Sequence, residues 1–155
     1  MGWNCLNRRI NTNHRTRDLE TKKEYSRGAT ETYTKRYTDL TDLQYCHALY
    51  ETYVREDLRI LITRWRMSCF QLTIETGRYR RISRENRLCP FCDVLEDEEH
   101  AIYTCVAYES IRNQFKELLD DNPTVKKFLN PQDKDTATNV GTFLKLIEER
   151  RKGLV

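Results

Sequence analysis

Apolar residues recur along the chain at three- and four-residue intervals, the period that gathers them on one face of a helix, and no long alternating run of the kind a half-buried strand needs is present. Leu43, Cys46, Tyr50, Tyr53 and Val54 form the first such set, with Glu51 four residues before Arg55 as a favourable helical pair. A stronger stripe follows. Leu58, Ile62, Trp65, Cys69 and Leu72 step by 4, 3, 4 and 3, which predicts about four turns of helix stopped at Gly77, a residue that accepts the left-handed cap conformation. Arg55, Arg59 and Arg66 fall within roughly 40° of one another beside that stripe. Further on, Ile111, Phe115, Leu118 and Leu119 predict an amphipathic helix ending at Asn122-Pro123. Val125, Phe128 and Leu129 make a short apolar link before Pro131. Val140, Phe143, Leu144 and Ile147 then mark a last helix. Asp133 and Asp135 are available as its caps, and Arg150, Arg151 and Lys152 precede Gly153 as the helix dipole favours. The fold expected is mainly α.

Residues 1–38 show neither period. Rich in Asn, Thr, Arg and Lys, they cannot bury enough apolar surface to offset chain entropy, which predicts a disordered basic and polar tail. The chain then divides into a helical segment over 39–77, a basic connector with a Cys/His cluster and its following helix over 78–120, and a C-terminal helical tail over 121–155.

Charge sharpens this division. Residues 1–92 hold 18 basic and 11 acidic residues, whereas 93–155 hold 9 and 13. A chain so lopsided can turn a cationic face to a polyanion. With 155 residues, 38% hydrophobic and 33% charged, there is room for one modest core and no large multidomain enzyme. No apolar run is long enough for a bilayer, so no membrane association is expected. The first residues, Met-Gly-Trp-Asn-Cys-Leu, lack the apolar stretch of a secretory signal, and Leu6 stands where myristoylation wants Ser or Thr. An intracellular protein, nuclear or cytoplasmic and not secreted, is expected, with reduced thiols rather than disulfides.

Six cysteines in a reduced protein need another explanation. Cys89, Cys92, His100 and Cys105 follow the pattern C-x2-C-x7-H-x4-C. Zinc takes four tetrahedral ligands, and three thiolates with one imidazole are one of its structural sets. Two cysteines separated by two residues fit one tight turn, the next seven residues let the chain fold back, and His100 and Cys105 close the set from the two ends of a short helical or turn segment. Four protein ligands leave no vacancy for water, the mark of a structural metal. Such an ion contributes on the order of 10 kcal/mol to folding. The competing reading is three buried free cysteines and a surface histidine at chance intervals. Cys46 and Cys69 sit on apolar faces as small core residues, Cys5 falls in the tail, Cys46-His47 is too close-set for a second metal site without partners, and His14 is read as solvated.

Catalytic chemistry finds little support. Zinc deaminases place H-x-E before P-C-x-x-C, but His47 is followed by Ala48-Leu49, and Pro90 lies inside the cysteine pair. The acidic residues Asp93, Glu96, Asp97, Glu98 and Glu99 are read as a solvated loop entering a helix N-terminus rather than a two-metal site. Neither a phosphate-binding loop nor a nucleophile and base pair is visible, so the chain is not expected to be an enzyme.

The stretch from Ile74 to Arg112 resembles the Cys/His region found downstream of the reverse transcriptase domain in polyproteins of non-LTR, LINE-type retrotransposons. The likeness rests on E-x-G-R-Y at 75–79, R-E-N-R-x-C at 84–89, the ligand spacing, E-D-E-x-H at 96–100 and the helix opened by Tyr108. It covers about forty residues, and the flanks fit more loosely. The resemblance implies that Cys89, Cys92, His100 and Cys105 are zinc ligands. It also implies a C-terminal piece without the family's polymerase or endonuclease, either a truncated copy or a separate reading frame, whose partner would be the polymerase part where that is present.

Two functions follow. The first is a zinc-stapled module binding RNA or DNA through Arg64, Arg66, Arg78, Tyr79, Arg80, Arg81, Arg84 and Arg87, since guanidinium groups attract phosphates and aromatic faces stack unpaired bases. Against it, Trp65 and Tyr79 can pack in the core while the arginines are solvated or pair with the acidic half. The second is a zinc-stabilised protein-interaction or structural module using the helices at 111–119 and 140–147. A non-functional fragment of a decayed element is a third.

Overall fold

The computed structural model describes Leu49, residues 53–119 and residues 123–153. The expected tail over 1–38, the start of the helical segment through Leu43, Cys46 and Tyr50, and Cys5, His14 and His47 lie outside these residues.

Helix α1, Glu56–Arg66, buries Leu58, Leu61, Ile62 and Trp65, with acidic residues in its first turn and arginines in its last. Glu51 lies outside the described residues, and the Arg55 side chain instead bonds Asp57 at 2.7 and 3.1 Å. The helix does not run on to Leu72 as the spacing predicts. Met67 closes it, Ser68 turns left-handed at φ 48°, and the amides of Ser68 and Cys69 bond back to Trp65 O and Arg64 O at 3.0 and 2.8 Å. That is a capping motif with serine in the place glycine usually holds. The apolar period survives the break because the chain folds back. Phe70 stacks on Trp65 with ring centroids 4.4 Å apart, and Leu72 is fully buried.

Helix α2, Thr73–Tyr79, contains Gly77 rather than ending at it. Gly77 is buried beneath the Arg87 side chain, where a Cβ would come within 2.7 Å of Arg87 Cγ. The stop lies four residues later: Arg81 is left-handed at φ 58°, with Arg81 N bonded to Arg78 O and Ile82 N to Gly77 O.

The predicted helix through Leu119 is broken as well. Helix α3, Glu109–Gln114, ends at Phe115, and a single turn, α4, Lys116–Leu119, follows. The short link becomes α5, Val125–Phe128, capped by the Thr124 hydroxyl. Helix α6, Lys134–Lys152, matches expectation: Asp133 caps it by accepting from Thr136 N, and Val140, Phe143, Leu144 and Ile147 are all buried. The fold is mainly helical, and among the described residues no helix is long and apolar enough to cross a membrane.

One core joins these pieces. Helices α1 and α6 form its principal contact. Their approach is close because Gly141 faces Leu58, where a Cβ would lie 2.7 Å from Leu58 Cβ. Ion pairs Arg64–Glu148 (3.6 Å) and Lys145–Asp57 (3.2 Å) flank the contact. A chain of edge-on rings from Phe115 through Phe143 and Phe128 to Tyr103 carries the core toward the Cys/His segment. Tyr103 also donates its hydroxyl proton to Pro123 O.

Candidate metal centre

Residues 88–96 form a tight reverse turn. Cys89 N bonds Val94 O at 2.7 Å, Glu96 N bonds Arg87 O at 3.0 Å, and Asp93 N returns to Cys89 O at 3.0 Å. Leu88 and Leu95 pair as an isolated antiparallel bridge. Asp93 takes the left-handed conformation at φ 53° that closes the turn, a geometry aspartate tolerates better than most residues. Cys89 and Cys92 thereby face one point. The next turn begins at Asp97, whose carboxylate accepts from His100 N at 2.9 Å. It widens over His100–Thr104 so that Cys105 N bonds His100 O at 2.8 Å, five residues back. A one-residue bulge of this kind re-aims the ends of a helical turn, and here it brings His100 and Cys105 to the same side.

The four side chains of the C-x2-C-x7-H-x4-C pattern converge, with their ligand atoms all within 4.8 Å of one another. Cys105 Sγ lies 3.8 Å from Cys89 Sγ and 3.7 Å from Cys92 Sγ. Both distances are far longer than the roughly 2.05 Å of a disulfide, and the cysteines are free thiols. A tetrahedral ion with metal–sulfur bonds of about 2.3 Å has sulfur–sulfur edges of about 3.8 Å. The observed separations match those edges.

His100 completes the set. Its Nδ1 lies 2.9 Å from Thr104 Oγ1, and that hydroxyl is 3.4 Å from His100 O. With Nδ1–H donating to the hydroxyl and the hydroxyl donating to the carbonyl, Nε2 keeps its lone pair. Nε2 is buried and has no hydrogen-bond partner among the described residues. An orphaned buried nitrogen beside three sulfurs is what a metal ligand held by an outer hydrogen bond looks like.

The electrostatics agree. Burial pushes the Cys105 thiol up to about 12 and raises Cys89, while backbone N–H groups of Ala107 and Phe91 pull the other way by bonding the two sulfurs. Burial also holds the His100 imidazole below its usual range. Without a cation the cluster therefore favours neutral thiols and neutral imidazole. A divalent ion inverts that preference by stabilising thiolates directly, and the N–H···S bonds favour the same form. The residues fit a metal ion.

Two of the acidic residues expected to be solvated are not. Glu96 is fully buried and Glu98 nearly so. Glu96 accepts from Thr73 N at 2.6 Å, at the start of α2, and from Arg151 on α6. Asp97 serves as the helix-entry cap, as anticipated for this run. Nothing local in the sequence marks Glu96 as buried, because its partner lies 55 residues away.

The cationic residues part company. Arg66 is buried, and Arg64 is half-buried and pairs with Glu148. Neither extends a free guanidinium into solvent. Arg87 is half-buried, its Nε bonded to Ile82 O and Nη1 to Ile74 O, both at 2.9 Å. Arg78 is half-buried, pairs with Glu75 at 3.2 Å and lies over the Tyr79 ring. Arg80, Arg81 and Arg84 are exposed, as is Tyr79 at 54%. Tyr79 and Arg80 end α2, and Arg81 and Arg84 project from the loop after it, which is pinned by the Arg87 bonds, by Thr73 Oγ1 donating to Arg87 O and by Asn86 Nδ2 donating to Ser83 Oγ. Trp65 is wholly buried. The connector is thus a clamped loop rather than a linker.

Fold and site define a small helical domain built around a Cys3His cluster suited to a metal ion. Compared with known proteins, the chain matches no family model, and no curated protein or solved structure is significantly similar to it.

Proposed function

We propose that this chain is a zinc-stapled module that binds RNA or DNA and has no catalytic site of its own. In this reading it derives from the C-terminal Cys/His region of a non-LTR retrotransposon polyprotein and works inside the cell, beside the polymerase part where that is present. The observation that carries the proposal is a juxtaposition. The Cys3His cluster, with sulfur separations of 3.7 and 3.8 Å, follows directly on a clamped loop that exposes Arg80, Arg81 and Arg84 next to Tyr79. Zinc is the ion of choice because three thiolates and an imidazole form one of its closed structural sets. Bound there, it would join the turn at 88–96 to the segment at 100–105 and so hold the loop's base rigid.

Other observations favour binding over the alternatives. Four protein ligands leave no open coordination position for catalysis, and the acidic run is dispersed between buried, capping and exposed roles. Of the apolar faces that a protein-interaction module would use, Ile111 and the stripe along 140–147 are buried in the core, and Phe115, Leu118 and Leu119 pack half-buried against it. The test is a titration of the zinc-loaded chain with single-stranded RNA and DNA at several salt concentrations. Affinity should fall linearly on a logarithmic scale as salt rises, because phosphate contacts release counterions. Binding that ignores salt, or no binding, would overturn the reading.

A further inference from the structure

One guanidinium beside the cluster is left over once the visible hydrogen bonds are assigned. Arg112 lies on α3, seven residues beyond Cys105. Its Nη2 donates to Cys105 O at 2.7 Å, while Nη1 is buried with no hydrogen-bond partner among the described residues. A desolvated cationic N–H is unfavourable unless opposing charge is close. The bond to Cys105 O seats this buried cation directly against a cluster residue. Glu96, the buried carboxylate of the cluster loop, is already engaged by Arg151. Glu109 is exposed to solvent, where its pull is screened.

Charge counting gives the leftover cation a role. Three thiolates and a neutral imidazole around a divalent ion carry one net negative charge in a partly desolvated place. We propose that Arg112 is the counter-ion of this centre, balancing that charge and keeping its sulfurs weakly nucleophilic. The inference rests on the metal reading above. It makes the centre inert as well as closed: a nearby cation stabilises the anionic, metal-bound form over the metal-free one, and lowers the reactivity of each thiolate toward electrophiles. The N–H···S bonds from Phe91 and Ala107 act in the same sense.

The experiment uses the full chain and three variants, Arg112→Met, Arg112→Gln and Arg112→Lys. Zinc affinity is measured by competition with a chromophoric chelator. The rate at which iodoacetamide alkylates the zinc-loaded cysteines is followed by mass spectrometry. The two neutral variants are expected to bind zinc about tenfold to a hundredfold more weakly, the range typical of second-layer changes, and to be alkylated several-fold faster. Arg112→Lys should stay close to the parent in both measurements. Having two neutral variants keeps the comparison intact if one fails to fold. Neutral variants that match the parent in both measurements would overturn the proposal. So would a lysine variant that behaves like them, because the effect would then lie in the hydrogen bond to Cys105 O and not in the charge. A parent chain that binds no zinc would overturn the metal reading itself, a different and separately visible result.

Discussion

Arg151, in the last turn of α6, sets both terminal nitrogens of its guanidinium against the carboxylate of Glu96, in the loop between the second and third residues of the Cys3His cluster. The Glu96 side chain is fully buried and that of Arg151 is 13% exposed. The same carboxylate receives Thr73 N at the start of α2, and Arg151 reaches Tyr108 Oη at 3.4 Å. One ionic contact therefore joins the cluster loop, α2 and α6. Bidentate geometry and the extra amide donor compensate the desolvation of both charges.

Breaking this pair from one side should be severe. Glu96→Gln leaves a buried arginine uncompensated, and we expect it to lose about 3–5 kcal/mol, read by chemical denaturation of the metal-loaded chain. The double variant Glu96→Gln/Arg151→Met removes both charges and should recover part of that loss, because partners in contact are not additive. Losses that simply add across Glu96→Gln, Arg151→Met and the double variant would show that the pair itself contributes nothing.

Metal removal should reach well beyond the cluster. The turn at 88–96 and the bulged turn at 100–105 are tied to the core through Tyr108, Tyr103 and Glu96, so their release frees elements on several sides. Structural zinc contributes about 10–16 kcal/mol in small zinc-dependent folds, as much as the whole stability of a typical domain, about 5–15 kcal/mol. Chelation is therefore expected to abolish cooperative thermal unfolding, followed by near-ultraviolet circular dichroism. Cys105→Ser should do the same without a chelator. A metal-free chain with an unchanged melting curve would count against a structural ion.

The α1–α6 contact gives a prediction free of the metal. Alanine is the better helix former by about 1 kcal/mol, yet Gly141→Ala should destabilise, because its Cβ would sit 2.7 Å from Leu58 Cβ. That atom is next to the backbone and cannot swing aside. Overpacking of this kind typically costs about 1–3 kcal/mol. Gly153→Ala meets nothing nearer than 3.7 Å and serves as the control, with a change within about 0.5 kcal/mol.

Much of this was legible in advance, and the failures share a cause. The stripe Val140, Phe143, Leu144 and Ile147 predicted a buried helical face and its Asp133 cap because both signals are local. The Cys/His spacing predicted a converging cluster because turn geometry alone nearly dictates it. The stripe from Leu58 to Leu72 misled because folding back after Ser68 buries Phe70 and Leu72 as effectively as more helix would. Gly77 misled because its reason is not a cap but the Arg87 side chain lying on it. Glu96 and Arg66 misled because charge alone predicts exposure, and their burial depends on the tertiary fold. Distant partners leave no mark on spacing.

Alkaline pH should reveal the Tyr103 contact. Burial, with Glu99 adding to it, pushes the Tyr103 hydroxyl up to about 12 from an ordinary 10, and burial raises Tyr108 as well. A group that keeps its proton longer in the folded state contributes stability that is fully present below pH 10 and is lost as pH rises through about 12. The metal-loaded chain should therefore weaken across that window. Tyr103→Phe, which also loses the bond to Pro123 O, should start lower and decline less steeply. Ultraviolet titration of tyrosinate alongside denaturation checks both, and an identical slope in the variant would discount Tyr103 as the source.

The loop cations separate display from burial within one family of residues. Arg80, Arg81 and Arg84 are exposed on a clamped loop, whereas Arg66 is buried and Arg64 is held by Glu148. If the loop meets phosphates, each of Arg80→Ala, Arg81→Ala and Arg84→Ala should reduce the magnitude of the salt slope of single-strand binding by about 0.7, the value per phosphate contact, and leave the melting temperature nearly unchanged. Arg66→Ala should do the opposite: the slope stays while stability falls, through loss of a packed side chain. Tyr79→Ala should weaken binding without changing the slope, because stacking releases no counterions. Slopes that respond to Arg66 and not to the loop would relocate the binding face away from the connector.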